Sequence, residues 1–340
     1  MEEQIKKGAK PPKKEKKPRA PVTPISEPAL PMLLSAVVFV ICLVTLVINK
    51  FIYPIGEELL APVILQFVAL IIPAYLVIML SSAEKSAFAQ MKEIGFGAIK
   101  ADHIFFLIFA SLFAACASLM LTLAFGGAYD AANGVTLLGS FTAGENEYSV
   151  SIPYIILTYA VIPAFAEELL FRGVMFSHLS KVSFPFAALV TTVIYALSGF
   201  TLGGLIPTIF IGLLSVFMLY TTRSLWTCVI MHLVFNVYRL FLETNISAYF
   251  LTSANNVLLI TTAALALAIT AFLFFSEGAR IFRKRAEDVA TRVTASENKL
   301  GAIKRIPTDI RASLAFKPTL ICGIICLCVF VATVTINYIV

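Results

Sequence analysis

Long apolar runs with almost no charge inside them constrain this sequence more than any other feature. Of its 340 residues, 59% are hydrophobic and 14% are charged, whereas about a quarter of the residues in a soluble domain are charged. This composition excludes a soluble globular fold. Each run is close to the ~20 residues that a helix needs to cross a bilayer. The runs cover residues 32–48, 59–80, 104–125, 152–176, 184–200, 205–220, 225–242, 257–275 and 320–340. The sequence therefore predicts an all-α, polytopic transmembrane helix bundle of about nine spans.

The distribution of basic residues predicts how the bundle is oriented. Nine spans with a cytoplasmic N-terminus place 23 of the 26 Lys and Arg residues on the cytoplasmic side. Only Lys50 lies on the opposite side, and Arg172 and Arg239 fall within spans. The loop 126–151 contains acidic residues but no Lys or Arg, as an external loop should by the positive-inside rule. We expect an integral membrane protein with its N-terminus in the cytoplasm, in a prokaryotic plasma membrane.

Two basic polar segments lie outside the predicted spans. Residues 1–31, rich in Lys and Pro, predict a disordered basic cytoplasmic tail. Residues 32–125 then form three N-terminal transmembrane helices, and residues 243–340 form C-terminal helices with a basic cytoplasmic insertion at 276–319. That insertion could lie along the membrane surface with Ile281, Val289 and Val293 facing lipid. Neither basic segment interleaves aromatic residues, so we expect membrane lipids as partners and no nucleic acid.

Two of the spans contain ionisable residues, which are costly inside a bilayer and therefore indicate function. The fourth span reads VIPAFAEELLFRGVMF and carries Glu167, Glu168 and Arg172. The seventh reads TCVIMHLVFNVYRLFL and carries His232 and Asn236. The other spans are nearly free of charge.

Helical spacing assigns these residues different environments. Glu168 and Arg172 stand at i and i+4 in the favourable order for an ion pair. Glu167 lies about 100° further round the helix and is left without that partner, which suits a general base acting on water. His232 and Asn236, also at i and i+4, share one face. A purely structural interpretation stays open, because such polar contacts can simply join helices in lipid.

The same residues resemble a known family. EELLFRG, from Glu167 to Gly173, resembles the EExxxR motif of the CAAX protease and bacteriocin-processing (CPBP, or Abi) family of intramembrane metalloproteases, and HLVFN resembles its HxxxN motif. The resemblance covers a core at residues 152–242. The family's middle motif, FxxxH, matches best at Tyr195 to Gly199. Phe has become Tyr there, and the His that acts with the glutamate on the catalytic water or metal has become Gly199.

The resemblance implies an intramembrane endopeptidase that hydrolyses lipidated CAAX-like or other membrane-associated peptides. Glu167 would activate water, Glu168 and Arg172 would set the local field, and His232 with Asn236 would stabilise the oxyanion. It also implies a divalent metal such as zinc, held by Glu167 and His232.

The replacement of His by Gly199 keeps a second interpretation open. A catalytically impaired relative would bind membrane peptides or protein partners without cleaving them. A transporter or channel is a third interpretation, but the sequence contains one polar cluster rather than a continuous polar path.

Overall fold

The computed structural model describes residues 29–47, 63, 66–80, 91–92, 94–126, 152–180, 184–199, 205–243, 246, 249–250, 252–295 and 317–339. In these ranges the chain forms helices and no β-strand. We number the helices α1 (Ala29–Val47), α2 (Gln66–Ile71 and Ile72–Leu80), α3 (Ala101–His103, Ile104–Leu121 and Thr122–Gly126), α4 (Ile152–Leu179), α5 (Phe184–Leu197), α6 (Leu205–Thr222), α7 (Leu225–Tyr238 and Arg239–Glu243), α8 (Asn256–Ala295) and α9 (Lys317–Ile339). The all-α prediction is confirmed for this part of the chain.

Within the described ranges, five helices are long and apolar enough to cross a membrane. They are Ala101–Ala124, Ile152–Leu179, Leu205–Thr222, Leu225–Leu242 and Asn256–Lys284. Shorter apolar helices lie at Ser35–Val44, Gln66–Ile78, Phe184–Leu197 and Ile321–Ile336. These lengths and compositions support an integral membrane protein. The count of nine spans and the cytoplasmic N-terminus stay predictions.

Helix α4 lies between the two hydrophobic cores of the bundle. One core joins α4 to α1, α2, α5 and α9, and the other joins α3, α5, α6, α7 and α8 to the last residues of α4. In the first core Ser35 of α1 donates a hydrogen bond to the Met175 sulfur of α4 over 3.2 Å. The residues of α4 from Glu168 to Phe176 are all buried. Glu168 and Arg172 of the motif therefore lie inside the protein.

The segment before α3 packs against the N-terminal end of α7. Gly95 has a φ of +109°, a conformation that glycine adopts without steric cost, and its carbonyl accepts a 2.7 Å hydrogen bond from the Leu225 amide. The next residue, Phe96, packs against Phe165 of α4 and Trp226 of α7, with ring centroids 6.0 and 5.3 Å away. This segment fixes the N-terminal end of α7 beside α4.

The predictions for the two basic segments can be compared with the structure. The predicted basic tail is not described up to position 28. Helix α1 begins at Ala29, three residues before the predicted span. The prediction of a separate helix along the membrane surface is wrong for residues 276–295, because α8 continues from Asn256 to Ala295 without a break. Ile281 does not face lipid but is 4% exposed within the second core. The side chains of Val289 and Val293, and residues 296–316, lie outside the described part.

Candidate active site

The backbone of α4 changes its helical form at the acidic pair. The helix is π-helical over Leu157–Val161, α-helical over Ile162–Glu167 and π-helical again over Glu168–Phe176. Pro163 lacks an amide hydrogen and cannot donate a helical hydrogen bond. Such π segments often mark functional sites. The change of helical form falls between Glu167 and Glu168, at the acidic pair itself.

Glu168 lies at the centre of a buried polar cluster. Its side chain is fully buried, and Oε1 lies 3.2 Å from Nη1 of Arg172, so the predicted i, i+4 ion pair is confirmed. The same oxygen lies 2.9 Å from Nδ1 of His232 on α7 and accepts a hydrogen bond from Ser215 on α6 over 3.2 Å. Three helices are thus joined through one carboxylate.

The contact with Glu168 fixes which way the His232 ring faces. A carboxylate can only accept hydrogen bonds, so Nδ1 carries the proton in this contact. The other ring nitrogen, Nε2, lies 3.7 Å from Oε2 of Glu167. Both acids therefore reach the same imidazole on opposite nitrogens. The family resemblance implies that Glu167 and His232 act at one site, and the structure brings the two side chains together.

Glu167 is the more accessible of the two acids. Its side chain is 21% exposed, whereas that of His232 is 2% exposed and that of Glu168 is fully buried. The Tyr195 hydroxyl of α5 lies 3.3 Å from Nε2 of His232. Glu167, His232 and Tyr195 therefore form one polar cluster, of which Glu167 is the most exposed member.

Asn236 contacts α4 one helical turn further along α7. Its Nδ2 donates a hydrogen bond to the carbonyl of Ala160 over 3.4 Å. Because Ala160 lies in the first π-helical segment, this contact joins α7 to α4 beside Pro163. His232 and Asn236 therefore both face α4, as their spacing predicts.

Two residues of α6 belong to the site and were missed in the sequence. Ser215 donates a hydrogen bond to Glu168. Gly212 lies against the guanidinium of Arg172 and the ring of Tyr195. The sequence feature that could have indicated them is the run IGLLS, in which a small residue and a small polar residue are three positions apart in an apolar helix. Small residues let helices approach closely in membranes, but this pattern does not point to a particular partner helix.

The close approach at Gly212 makes a testable prediction. A Cβ atom there would lie 2.9 Å from Cγ2 of Thr192 and 3.3 Å from Nη2 of Arg172. We expect Gly212→Val to lower the free energy of unfolding by roughly 1–3 kcal/mol, as overpacking a filled core does. Unfolding in mixed micelles with increasing dodecyl sulfate measures the change.

Gly97 provides the control, because no atom lies within 4 Å of a Cβ at that position. Gly97→Ala should leave the unfolding curve in place. A Gly212→Val protein as stable as the unmodified chain would contradict the close packing of α6 against Arg172.

The described residues fit a catalytic zinc poorly. Such a site takes three protein ligands and one open position, and the described chain contains no group of three His, Cys, Asp or Glu side chains placed to hold a metal. Only Glu167 and the Nε2 of His232 face a common point. The Glu168 contact at Nδ1 does resemble the carboxylate support that metal-bound histidines receive, but one further ligand is needed, and we derive no step through a metal.

Position 199 lies at the end of α5 and is open. Gly199 follows the last helical residue, Leu197, and is exposed. A Cβ atom built on it meets only the carbonyl of Ala196, at 3.5 Å. A larger side chain can therefore be introduced here without displacing the core.

One of three comparisons with known proteins found a match. A search of curated proteins and a search of solved structures each found no match to the chain. A protein-family model did match, over residues 149–238, a range that contains Glu167, Glu168, Arg172, Tyr195 and His232. Its description is "Type II CAAX prenyl endopeptidase Rce1-like", and the match identifies this segment as Rce1-like, consistent with the CPBP family.

Proposed function

We propose that the chain is an intramembrane endopeptidase in which a water molecule, activated by Glu167, attacks a peptide bond. One observation carries the proposal: a partly exposed carboxylate and a buried imidazole, on different helices, lie side by side, with Oε2 of Glu167 3.7 Å from Nε2 of His232. At that separation both groups can hydrogen-bond to one water molecule beside them.

The remaining polar residues hold these two groups in place. Arg172 neutralises Glu168, and Glu168 holds the His232 ring through Nδ1 over 2.9 Å. Ser215 supplies another hydrogen bond to the same carboxylate. Because α4, α6 and α7 all contribute, the site is preorganised before a substrate arrives, which is the main source of electrostatic catalysis.

The reaction would proceed as a hydrolysis. Glu167 takes a proton from water, and the resulting hydroxide adds to the carbonyl carbon of the scissile bond. The carbonyl oxygen becomes an oxyanion, which accepts a hydrogen bond from Nε2 of His232 when both ring nitrogens carry protons. Asn236 would add a second donor if its amide turned from Ala160. As the tetrahedral intermediate collapses, the C–N bond breaks and the proton on Glu167 passes to the leaving nitrogen.

The substrate class follows from the family match and the position of the site. The description of the matching family names CAAX prenyl endopeptidases, and Glu167 and His232 lie on apolar helices long enough to span a bilayer. A lipidated or membrane-associated peptide can enter such a site from the membrane, where its lipid stays in the apolar phase. We therefore propose a peptide of this kind as the substrate.

A cleavage assay tests the proposal. The purified chain in lipid nanodiscs would be incubated with a prenylated peptide that ends in a C-a-a-X sequence, and mass spectrometry would locate the cut. We expect hydrolysis at one peptide bond. Because water attacks directly, added hydroxylamine should yield no hydroxamate. A trapped hydroxamate would contradict the mechanism, and an uncut peptide would contradict the activity.

A binding function without cleavage is the second candidate, and Gly199 favours it. The position that matches the family's middle-motif histidine has no side chain to act on water. Under this alternative the unmodified chain binds the lipidated peptide and leaves it intact, and Gly199→His creates a cleavage activity that the unmodified chain lacks. The same nanodisc assay, with fluorescence anisotropy to measure binding, separates the two candidates.

A further inference from the structure

The ring of Tyr195 is held by packing on α5 beside His232. The tyrosine is 6% exposed, and the Arg172 guanidinium carbon lies 4.2 Å from the centre of its ring. The ring of Phe171 meets it edge-on at 5.3 Å, and the ring of His232 lies at 85° to it with the centroids 6.0 Å apart. A phenylalanine ring would make the same contacts. Packing therefore fixes the position of the hydroxyl without explaining why a hydroxyl is there.

The hydroxyl is the donor in its contact with His232 when the imidazole is neutral. A neutral imidazole has one proton, and the contact of Nδ1 with Glu168 holds it on that nitrogen. Nε2 then has only a lone pair, and the Tyr195 oxygen 3.3 Å away supplies the proton of the hydrogen bond. In this state Nε2 cannot donate to an oxyanion, whereas the hydroxyl of Tyr195 can.

The hydroxyl and Nε2 are close enough together to reach one oxygen atom. Donors to an oxyanion lie about 2.7–3.1 Å from the charged oxygen, and two atoms 3.3 Å apart can both meet that distance. The same Nε2 lies 3.7 Å from Oε2 of Glu167, so the proposed general base is beside this pair. Asn236, in contrast, donates to the carbonyl of Ala160.

We propose that Tyr195 is a catalytic residue whose hydroxyl donates a hydrogen bond to the oxyanion of the tetrahedral intermediate. This inference rests on the proposed function, in which Glu167 activates the attacking water. As the new C–O bond forms, the π electrons of the carbonyl move to its oxygen, and the hydroxyl turns from Nε2 to that oxygen while keeping its own proton. Hydrogen bonds to a charged acceptor are roughly twice as strong as those between neutral groups. The contact therefore strengthens in the transition state and lowers the barrier.

Tyr195→Phe tests this role in the nanodisc assay with the prenylated C-a-a-X peptide. We expect kcat to fall by roughly 10²–10³-fold, the usual cost of losing one oxyanion donor, with KM unchanged because the contact strengthens only as charge develops. A phosphinate analogue of the peptide, whose charged oxygen mimics the oxyanion, should bind at least about tenfold more weakly. Tyr220→Phe is the control, since its ring packs against Phe184 and Phe282 on another part of α6, and it should change neither value.

A double-mutant cycle with His232→Asn separates direct contact from an effect through His232. The asparagine amide can still donate to Glu168, but nothing replaces Nε2. If Tyr195 contacts the oxyanion itself, Tyr195→Phe should weaken phosphinate binding in this background as well. No further loss there would overturn the inference, because Tyr195 would then act only by holding the His232 ring.

Two other results separate this inference from the proposed function. An unchanged kcat for Tyr195→Phe, in a chain that does cleave, overturns the inference and leaves the proposed function in place. An unmodified chain that cleaves nothing removes the proposed function and this inference with it.

Discussion

Replacing Glu167 by Gln is expected to lower kcat for cleavage of a prenylated peptide by roughly 10²–10⁴-fold, the usual contribution of a general base. The amide keeps the size of the side chain, but it cannot accept a proton from water. Binding of the peptide should persist, since the contacts among Glu168, Arg172 and His232 are unaffected. Cleavage measured by mass spectrometry and binding measured by anisotropy would be compared in nanodiscs.

Glu277 offers a control of matched exposure. Its side chain on α8 is 24% exposed and pairs with Arg280, against 21% for Glu167. Glu277→Gln removes the same charge at a distant position, so kcat should stay the same. A Glu167→Gln protein with full activity would eliminate Glu167 as the base, and equal losses in both variants would indicate a general effect of charge.

The sequence is sufficient to predict the helices that carry the site and its main ion pair. Charged residues are so costly in an apolar span that Glu168, Arg172 and His232 stand out without any structure. The i, i+4 spacing then predicts the contact of Glu168 with Arg172, which depends only on local helical geometry. These inferences succeed because each one uses a single helix.

Contacts between helices were harder to predict, and their geometry explains why. Glu167 and Glu168 both contact His232, and this arrangement depends on where α7 lies against α4, which the spacing within α4 does not give. Ser215 is an ordinary residue in an apolar helix until α6 is placed against α4. The sequence predicts that Ile281 faces lipid, because hydropathy does not distinguish a side chain in contact with lipid from one in a protein core.

Arg172→Met is expected to lower the free energy of unfolding by about 3–5 kcal/mol, the usual cost of removing one partner of a buried ion pair. Arg172 is 1% exposed and Glu168 is fully buried, so the carboxylate would lose its cationic partner where no water can replace it. Methionine fills similar space, and the loss of charge therefore dominates. Titration with dodecyl sulfate in mixed micelles would measure the change.

Neutralising both partners should reverse much of this loss. In Arg172→Met with Glu168→Gln, the amide oxygen can still accept hydrogen bonds from His232 and Ser215, and no buried charge is left unpaired, a replacement that is often close to neutral. Arg280→Met is the control for a more exposed pair, since its side chain is 40% exposed beside Glu277, and it should cost at most about 1 kcal/mol. A double variant less stable than Arg172→Met alone would contradict this prediction. It would indicate that His232 mainly stabilises the charge of Glu168 and that the role of Arg172 is packing against Tyr195.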